Sequence, residues 1–434
     1  MFPYDTDKAQ LVGAPPRNGW NVRPGKDPAP ATATVGREVG TVSITPHGWH
    51  HNTKEVYMSR KDEATNREGR RSFLKKVAVA GAAATVGVPF FAKNASAAPI
   101  NMRIQSMWDA GTVGYVEFEK FAKSVAEMSE GKLVVKPFPA GAIMGTFEMF
   151  EGVKTGVLDG MHTSDTYHTG KIPVATFLSS YPFGMDMPHQ WDTWFNSLGG
   201  KEIAREAYAE QNMYWLGPVQ HDENLIHSKV PIRSFEEFKG KKIRFPGGLI
   251  ADIFRSAGVS TVLLPGGEVY PALEKGVIQG ADFVGAAINY NLGFGEIAKY
   301  IIMGPPSTPC LHQPVDLQCI GVNMKVWKGM PKHYQSLFES AIRDFSFNQF
   351  TAIQVADLEA YEKFKKAGVE IIRLKDADIE KFKKFAPELW VKWAKMHPLA
   401  MKAFKSQWEY MKSVKIGYYT DADLVDPQGK KLSL

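Results

Sequence analysis

Residues 241–284 read KKIRFPGGLIADIFRSAGVSTVLLPGGEVYPALEKGVIQGADFV, and in this stretch short apolar runs alternate with helical periodicity. The pattern predicts strands over 241–245, 260–264 and 280–284, with helices over 247–257 and 268–275 between them. Strands that alternate with helices are typical of α/β layers with largely parallel sheets. The stretch therefore predicts one βαβαβ half, which begins near Phe235.

A similar alternation precedes this stretch, and a helical region follows it. Upstream, the periodicity predicts strands over 103–108 and 132–137, helices over 113–128 and 146–155, and strand-end loops over 165–168 and 177–183. Open α/β sheets bind ligands at such strand ends. Downstream, helices are predicted over 334–365 and 378–414, and their spaced aromatic residues are interpreted as core packing. Two α/β halves with surplus helices predict two adjoining lobes and a helical brace or dimer contact.

The composition narrows the class of protein. The chain has 434 residues, 44% of them hydrophobic, and only two cysteines, which excludes general disorder, a collagen, a coiled coil and a disulfide scaffold. The net charge is +6, but residues 1–97 hold 14 Lys and Arg against 8 Asp and Glu, and residues 98–434 hold 38 of each kind. A neutral body lacks the basic footprint of a nucleic-acid-binding protein, so we expect no such partner.

The surplus charge lies in residues 1–97, most of it in a predicted leader over residues 58–98. Its paired Arg70-Arg71 precede Phe73-Leu74-Lys75, a weakly apolar run over 77–92 and a small-residue exit at 94–98. This order resembles a twin-arginine signal peptide, with cleavage after Ala97 or Ala98 and export to the periplasm. The alternative is a membrane anchor, but the run is shorter than the roughly 20 apolar residues that span a bilayer.

Residues 1–57 are rich in Pro, Gly and Thr and lack apolar periodicity, so we expect them to be disordered. Our hypothesis is that translation starts at Met58 and that the upstream stretch is a mis-assigned start. The alternative is a cytoplasmic tail that is removed with the signal.

Farther along, Cys310 and Cys319 either form a disulfide in an oxidising periplasm or remain buried thiols. The spacing of these two cysteines is not a metal-site signature.

Enzyme motifs are absent from the sequence, which contains no G-x-S-x-G, no H-E-x-x-H and no P-loop. The two Pro-Gly-Gly segments, 246–248 and 265–267, are interpreted as turns or helix starts. The segment His221-Asp222-Glu223 suggests a metal or acid/base cluster, but consecutive extended residues point to alternating faces, and a polar loop is the simpler interpretation. An exported α/β enzyme and a binding module of a sensor stay as alternatives.

Two strand ends of the second half carry the chemistry of a binding site. Arg244 ends a strand and precedes a helix start, where its guanidinium suits a carboxylate ligand. Asp282-Phe283 ends another strand and offers a carboxylate, a carbonyl and an aromatic wall. These groups either bind a ligand or a hard cation, or form a structural Arg244–Asp282 ion pair without a ligand.

Several longer blocks resemble a known family. They are 128–142, 170–173, 181–185, 238–244, 264–276 and 284–285. These blocks are similar to the extracytoplasmic solute-binding proteins of TRAP transporters, the DctP-type family, and within it to the group that binds α-keto acids and lactate. The resemblance covers nearly all of residues 100–415. It implies two α/β lobes with a hinge cleft, a long bracing helix, and delivery of a small organic acid to a permease of one small and one large membrane subunit.

With this resemblance the predicted organisation is lobe one over 99–219, lobe two over 220–305, and a return segment with C-terminal bracing or dimerisation helices over 306–434. The resemblance implies that Arg244 clamps the ligand carboxylate. The family's Glu-Trp pair, which supplies a cation ligand and an aromatic wall, corresponds to Asp282-Phe283. A family Gln that lies 21 residues before the Arg corresponds to Glu223 in an ungapped reading. The keto-acid group also implies a homodimer through the C-terminal helices.

The departures from the family pattern concern the cation. If Glu223 and Asp282 both face the ligand, the site favours Ca²⁺ over Na⁺, or else receives a cationic or polyhydroxyl substrate. The segment 305–314 is longer than the family's turn, and Gln313 is the candidate for a further cation ligand. We expect Tyr167 and Trp108 to supply a hydroxyl donor and a wall, although core packing is the alternative for Trp108. Weaker candidates are Asn289 and Asn291. The sequence thus predicts a non-catalytic periplasmic receptor for a small 2-oxo or 2-hydroxy acid with a metal ion.

Overall fold

Two mixed β-sheets form the framework of the protein. The computed structural model describes residues 98–413 and 419–434. The predicted disordered extension and nearly all of the predicted signal peptide lie outside the described residues. Contacts along the chain divide it into Met1–Phe90 and Phe91–Leu434, and the second unit contains everything described below.

Sheet one has five strands in the order β2-β1-β3-β10-β4. Four of them run parallel to one another, and β10 is antiparallel to both of its neighbours. We call the part of the chain around this sheet lobe one. Its strands are β1 (Ile100–Ser106), β2 (Leu133–Phe138), β3 (Gly160–Ser164), β4 (Met213–Gln220) and β10 (Leu317–Asn323).

Sheet two has six strands in the order β11-β9-β5-β8-β6-β7. Here β5 is antiparallel to β8 and β9, while the other pairs are parallel. We call the part of the chain around this sheet lobe two. Its strands are β5 (Leu225–Ser228), β6 (Lys242–Arg244), β7 (Ser260–Val262), β8 (Gly280–Phe283), β9 (Tyr300–Met303) and β11 (Glu370–Arg373).

The antiparallel strand in each sheet marks a crossing between the lobes. The chain leaves sheet one at the end of β4 and enters sheet two as β5, and it leaves sheet two after β9 and returns as β10. A strand that arrives directly from the other lobe enters its sheet from the opposite end, so it runs against its neighbours. The strand-helix pattern alone predicts the parallel pairs and misses these two crossing strands.

Helices cover the faces of both sheets. The first of them coincides with the predicted span, and Thr112 caps it by accepting a hydrogen bond from the Tyr115 amide at 3.3 Å. The helices are α1 (Val113–Met128), α2 (Met149–Thr155), α3 (Pro188–Ser197), α4 (Gly200–Ala209), α5 (Gly248–Ser256), α6 (Gly266–Glu274), α7 (Ala286–Asn291), α8 (Phe294–Ile297), α9 (Met324–Gly329), α10 (Lys332–Lys366), α11 (Asp376–Lys383), α12 (Ala386–Ala394) and α13 (Pro398–Ser413). Short 3₁₀ turns follow β3 at Asp165–His168 and Pro173–Phe177.

The long helix α10 contacts both lobes. In lobe one, Gln349 donates to the Gln220 carbonyl at 3.1 Å and to Gln318 at 3.0 Å. In lobe two, Asp357 accepts a hydrogen bond from the Ala287 amide at 2.6 Å. One helix is therefore hydrogen-bonded to both sides of the crossing, as the resemblance implies for a bracing helix.

The C-terminal helices pack on both lobes through aromatic side chains. Trp390, Phe404 and Trp408 are at most 1% exposed, in agreement with the predicted core role of the aromatic stripe. Trp393 donates to Asp252 of α5 at 2.9 Å, and Gln407 of α13 donates to the Phe177 carbonyl at 2.7 Å. Over the ranges 98–413 and 419–434, no helix has the length and apolar character needed to cross a bilayer.

Candidate functional site

A cavity lies where the carboxyl ends of strands from both sheets meet. Its empty volume is about 250 Å³, including the part that opens to solvent. This is the edge at which open α/β sheets place their ligands. Lobe one contributes Met107, Ser164, Thr166 and Tyr167; the crossing segments contribute Asn224, Gln313 and Asp316; lobe two contributes Arg244, Pro246, Phe283 and Val284.

Arg244 is the central cation of this cavity, and its side chain is only 2% exposed. Its Nε donates to the Leu264 carbonyl at 3.1 Å, and its Nη1 donates to the Asp282 carbonyl at 2.7 Å. Its Nη2 donates to the Tyr167 hydroxyl at 3.2 Å, and the guanidinium lies 5.0 Å from the centre of the Phe283 ring. Nη2 carries two hydrogens and Tyr167 accepts one, so the other is available to a ligand oxygen.

Asp282 lies between two cationic groups. Its Oδ2 is 3.4 Å from Arg244 Nη1, and its Oδ1 is 2.7 Å from His312 Nε2. Burial alone would lower the pKa of His312, but Cys310 and Asp282 raise it to about 10, so the imidazole is held protonated. The structure therefore contains the Arg244–Asp282 pair that the sequence allows without a ligand, extended by His312. Sequence reasoning missed His312 because its loop has no periodicity.

Oxygen atoms of three polar side chains gather at the crossing segments. The Asn224 amide donates to Gln313 Oε1 at 2.9 Å, and Gln313 Nε2 in turn donates to Asp316 Oδ1. Burial raises the pKa of Asp316 to about 6, so its carboxylate is ionised at neutral pH. The Asn224 Oδ1 atom is buried without a hydrogen-bond partner. Asp316 and Asn224 were not predicted as site residues; Asn224 adjoins the predicted Glu223, and Asp316 lies two residues beyond the predicted segment 305–314.

Carboxylate and amide oxygens of this kind suit a hard cation such as Ca²⁺ or Na⁺. Within the described part of the chain, no three His, Cys, Asp or Glu side chains are grouped to hold a metal ion. The fit therefore rests on one carboxylate, Asp316, and on the amide oxygens of Gln313 and Asn224. The orphaned Asn224 oxygen fits such an ion, because a buried acceptor without a donor is costly to leave unpaired.

Glu223 is not among the residues that line the cavity. Burial raises its pKa, and the neighbouring charges that act on it are Asp357 and His221. The adjacent Asn224 lines the cavity in place of Glu223. In the family pattern the amide side chain lies 21 residues before the arginine, whereas in this chain the amide of Asn224 lies 20 residues before Arg244.

His221 and Asp222 lie behind the cavity in the crossing from β4 to β5. His221 Nδ1 and Asp222 Oδ1 share a hydrogen bond, and the Gly285 amide donates to the same oxygen at 3.1 Å. Burial raises the pKa of Asp222 to about 7. The position of Gly285 has no room for a side chain, because an added Cβ would lie 1.4 Å from Asp222 Oδ2. The segment is therefore a buried polar connection that is tightly packed against lobe two.

The three remaining predicted site residues, Trp108, Asn289 and Asn291, do not line the cavity. Trp108 is buried, donates to Gln318 at 3.3 Å and meets the Phe283 ring edge-on at 6.3 Å, so it backs the aromatic wall. Asn289 is buried and does not line the cavity; its amide donates to His227 at 3.0 Å and to the carbonyl of Val284, a lining residue. Asn291 is exposed at the end of α7.

Both cysteines are free and buried. Cys319 lies in sheet one, 3.3 Å from the Tyr208 hydroxyl. Cys310 donates to the Asn224 carbonyl at 3.3 Å and lies 3.5 Å from His312. The sequence left open a disulfide or two buried thiols, and the structure contains two buried thiols.

Comparison with known proteins places the chain among binding proteins. The model of the DctP family, described as bacterial extracellular solute-binding protein family 7, matches residues 104–396. A monocarboxylate 2-oxoacid-binding periplasmic protein of Nostoc is 28% identical over 274 residues, which cover 63% of this chain and 73% of the relative. An ectoine-binding periplasmic protein of Halomonas elongata is 25% identical over 317 residues, which cover 72% of this chain and 90% of the relative.

Solved structures share the fold. A TRAP periplasmic solute-binding protein of Colwellia psychrerythraea with bound calcium and pyruvate has a TM-score of 0.68 at 23% identity, over 73% of this chain and 95% of the other. A TRAP periplasmic solute-binding protein of Rhodobacter sphaeroides in an apo open state has a TM-score of 0.56 at 28% identity, over 73% of this chain and 99% of the other.

Proposed function

Because the chain belongs to the bacterial extracellular solute-binding protein family 7, we propose that it is the periplasmic receptor of a TRAP transporter for a small organic acid. The match confirms the resemblance inferred from the sequence, and the two-lobe α/β fold is confirmed by the structural relatives. The family and these relatives are binding proteins, so the enzyme alternative is not favoured.

The position of Arg244 carries the proposal for the ligand. A buried guanidinium with a free N–H at the meeting point of two lobes binds a carboxylate by a charge-assisted hydrogen bond. The Phe283 ring beside it offers an apolar wall for a short carbon chain. A 2-oxo or 2-hydroxy monocarboxylate has a negative charge for the guanidinium and a short carbon chain for the ring, and the Nostoc relative is named for binding 2-oxo acids.

We assign the accompanying cation to Asp316, Gln313 and Asn224. When bound there, Ca²⁺ or Na⁺ would offset the charge of the ligand's oxygens. Asp282, the cation ligand that the family pattern implies, already binds Arg244 and His312. Both of these partners of Asp282 are cationic, whereas Asp316 accepts only from the neutral donors Gln313 and Ser179 among the hydrogen bonds described, and the Asn224 oxygen has no partner. Solved relatives hold calcium with pyruvate and sodium with pyruvate.

A second candidate ligand follows from the same carboxylate. Arg244 and Asp316 present opposite charges to one cavity, which also suits a zwitterion whose carboxylate and cationic nitrogen are a few atoms apart. The Halomonas relative is named for binding ectoine, and a solved relative holds an amino alcohol. The cation-assisted acid and the zwitterion differ in one respect that an experiment can measure, because only the first requires a metal ion.

Closure of the lobes is the proposed mechanism. Tyr167 of lobe one and Arg244 of lobe two touch across the cavity, and a ligand held by both is bound more tightly by closed lobes than by open ones. Such differential affinity shifts the population toward the closed state. Docking on the small and large permease subunits would reverse the shift and release the ligand.

Export and assembly complete the proposal. The family is periplasmic, and we propose the twin-arginine route from Arg70-Arg71.

We also propose a homodimer through one face of α10, where Phe347, Val355 and Leu358 are 64–67% exposed. Positions 347, 355 and 358 share one helix face, and exposed apolar side chains in a row mark an interface. An antiparallel pair would set Phe347 against Leu358 of the partner subunit.

Thermal melting of the exported protein with small acids tests the proposal. A ligand that binds only the folded state raises the melting temperature by mass action. We expect a rise with one 2-oxo or 2-hydroxy monocarboxylate, which disappears in EDTA if the cation is Ca²⁺ and in sodium-free buffer if it is Na⁺. A rise with ectoine that persists in EDTA and in sodium-free buffer would favour the zwitterion. Absence of a rise with every acid and with ectoine would contradict the proposed function.

A further inference from the structure

The first of the two Pro-Gly-Gly segments packs against the other lobe. Gly247 precedes helix α5 in lobe two, and a Cβ added there would lie 2.8 Å from Thr169 Oγ1 and 3.3 Å from the Thr166 carbonyl, both of lobe one. Gly248 is as confined, since an added Cβ would lie 2.5 Å from Thr176 Oγ1. The lobes approach here to a distance that only glycine permits.

A hydrogen bond between the lobes lies at the same place. The Leu249 amide, in the first turn of α5, donates to Thr176 Oγ1 at 3.0 Å. The N-cap position of α5 is Gly247, which has no side chain to accept from the free amides of the first turn. The capping group is therefore a buried threonine of lobe one. Separation of the lobes would leave this amide without its acceptor.

This contact is continuous with the ligand cavity. Pro246 lines the cavity and immediately precedes Gly247, and Thr166 lines it from lobe one while its carbonyl faces Gly247. Arg244 and Tyr167, whose 3.2 Å hydrogen bond crosses the cavity, are each within three residues of the contact. A change of a few tenths of an ångström in the approach of the lobes at Gly247 therefore changes the separation of the two ligand-facing groups.

We propose that Gly247 and Thr176 form a latch between the lobes that sets ligand affinity without touching the ligand. Gly247 gives the space for the approach, and Thr176 supplies the cap of α5 that exists only when the lobes meet. Both are positioning residues. The effect on affinity rests on the proposed function, but the latch itself does not, because the contact joins atoms of the two lobes only.

Two substitutions and two controls test the latch. Gly247→Ala adds the excluded Cβ at a φ of −70°, which alanine adopts freely. Thr176→Val keeps the shape and removes the acceptor, and Thr176→Ser keeps the hydroxyl. Gly170→Ala is the matched control for Gly247, since an added Cβ meets nothing within 4 Å there. Gly248 is left unchanged because its φ of +70° would strain any substitution.

The first readout is amide hydrogen exchange at the start of α5 in the exported protein without ligand, with solution scattering on the same samples. We expect Gly247→Ala and Thr176→Val to speed exchange of the Leu249 amide about tenfold, the equivalent of one lost hydrogen bond, and to raise the radius of gyration. Thr176→Ser and Gly170→Ala should match the wild type. Unchanged exchange in both Gly247→Ala and Thr176→Val would overturn the latch.

The second readout is affinity for the acid that the wild type binds. We expect a loss of about tenfold in Gly247→Ala and Thr176→Val, with recovery in Thr176→Ser. Wild-type affinity despite faster exchange would show that the contact does not set affinity, and would overturn the proposed effect of the latch on ligand binding. If the wild type binds none of the acids, the proposed function fails while the exchange readout still decides the latch.

Discussion

The hydroxyl of Tyr167 accepts a hydrogen bond from Arg244 Nη2 at 3.2 Å, and the two residues belong to different lobes. Tyr167 follows β3 of sheet one, and Arg244 ends β6 of sheet two. A ligand carboxylate that reaches the remaining Nη2 hydrogen therefore binds where both lobes already meet. The first prediction follows from this pair.

Arg244→Lys should weaken binding of the carboxylate by about 10- to 100-fold, because a planar fork of donors becomes a single ammonium. Arg244→Ala is a poorer test, since it would leave the buried Asp282 with only His312 for a partner. Titration calorimetry measures the affinity. Tyr167→Phe removes one hydroxyl and should cause a smaller loss. Wild-type affinity in the lysine variant would exclude Arg244 as the carboxylate clamp.

Asp316→Asn should remove the metal dependence of ligand binding. The folded pKa of Asp316 is raised to about 6 by burial, so its carboxylate is protonated as the pH falls through that value. Cation-assisted affinity in the wild type should therefore decline below about pH 6. Calorimetry with and without EDTA, with and without sodium, and on both sides of pH 6 checks both statements. Glu223→Gln is the control, because Glu223 does not line the cavity; if it removes metal dependence instead, the cation lies at Glu223.

Asp357→Asn should flatten the dependence of stability on pH above neutrality. Burial, together with Asp222, raises the folded pKa of Asp357 to about 9 from an ordinary value near 3.8. A carboxyl with a raised folded pKa destabilises the protein as the pH rises from the unfolded toward the folded value, by at most about 1.4 kcal/mol per unit. Urea unfolding at pH 7 and pH 9 measures the slope. The wild type should lose stability across this range, and an equal loss in the variant would contradict the assignment.

Phe347→Lys should shift the proposed dimer to monomer, because it puts a charge in the middle of the apolar face of α10. Sedimentation velocity reports the mass directly. Val277→Lys is a suitable control, since Val277 is also exposed, at 51%, but lies in lobe two away from α10. A variant of unchanged mass would place the dimer contact elsewhere, and a monomeric wild type would exclude the dimer.

Arg70→Lys combined with Arg71→Lys should block export, because the twin-arginine route reads the paired guanidinium groups and not charge alone. Immunoblots of periplasmic and cytoplasmic fractions detect the change. The Arg60→Lys variant keeps the same charge and leaves the pair intact, so it should be exported. Normal export of the double variant would indicate a different route.

The sequence predicts the parts of the fold in which local pattern and tertiary structure agree. Helix α1 occupies the predicted residues 113–128, and Arg244 ends its strand as expected, because amphipathic periodicity and strand-helix alternation are local properties. The antiparallel strands β5 and β10 were beyond this reasoning. Their direction depends on the chain passing between lobes, which periodicity does not encode.

The site was predictable only in part for the same reason. Asp316, His312 and Asn224 reach Arg244 and Asp282 from segments tens of residues away along the chain, and those segments have no regular period. The cap of α5 is another example, since its acceptor Thr176 lies 73 residues before Leu249. Such contacts follow from the packing of whole lobes.

The two attachments of α10 also determine how the protein can move. Gln349 is bonded to lobe one and Asp357 to lobe two, and the eight residue steps from one to the other span only about 12 Å of helix. If both attachments hold while the lobes separate, the change of angle must be taken up within these two turns. Opening of the lobes then requires α10 to bend. The stiffness of the helix limits how far the lobes can open and favours their return to the closed state.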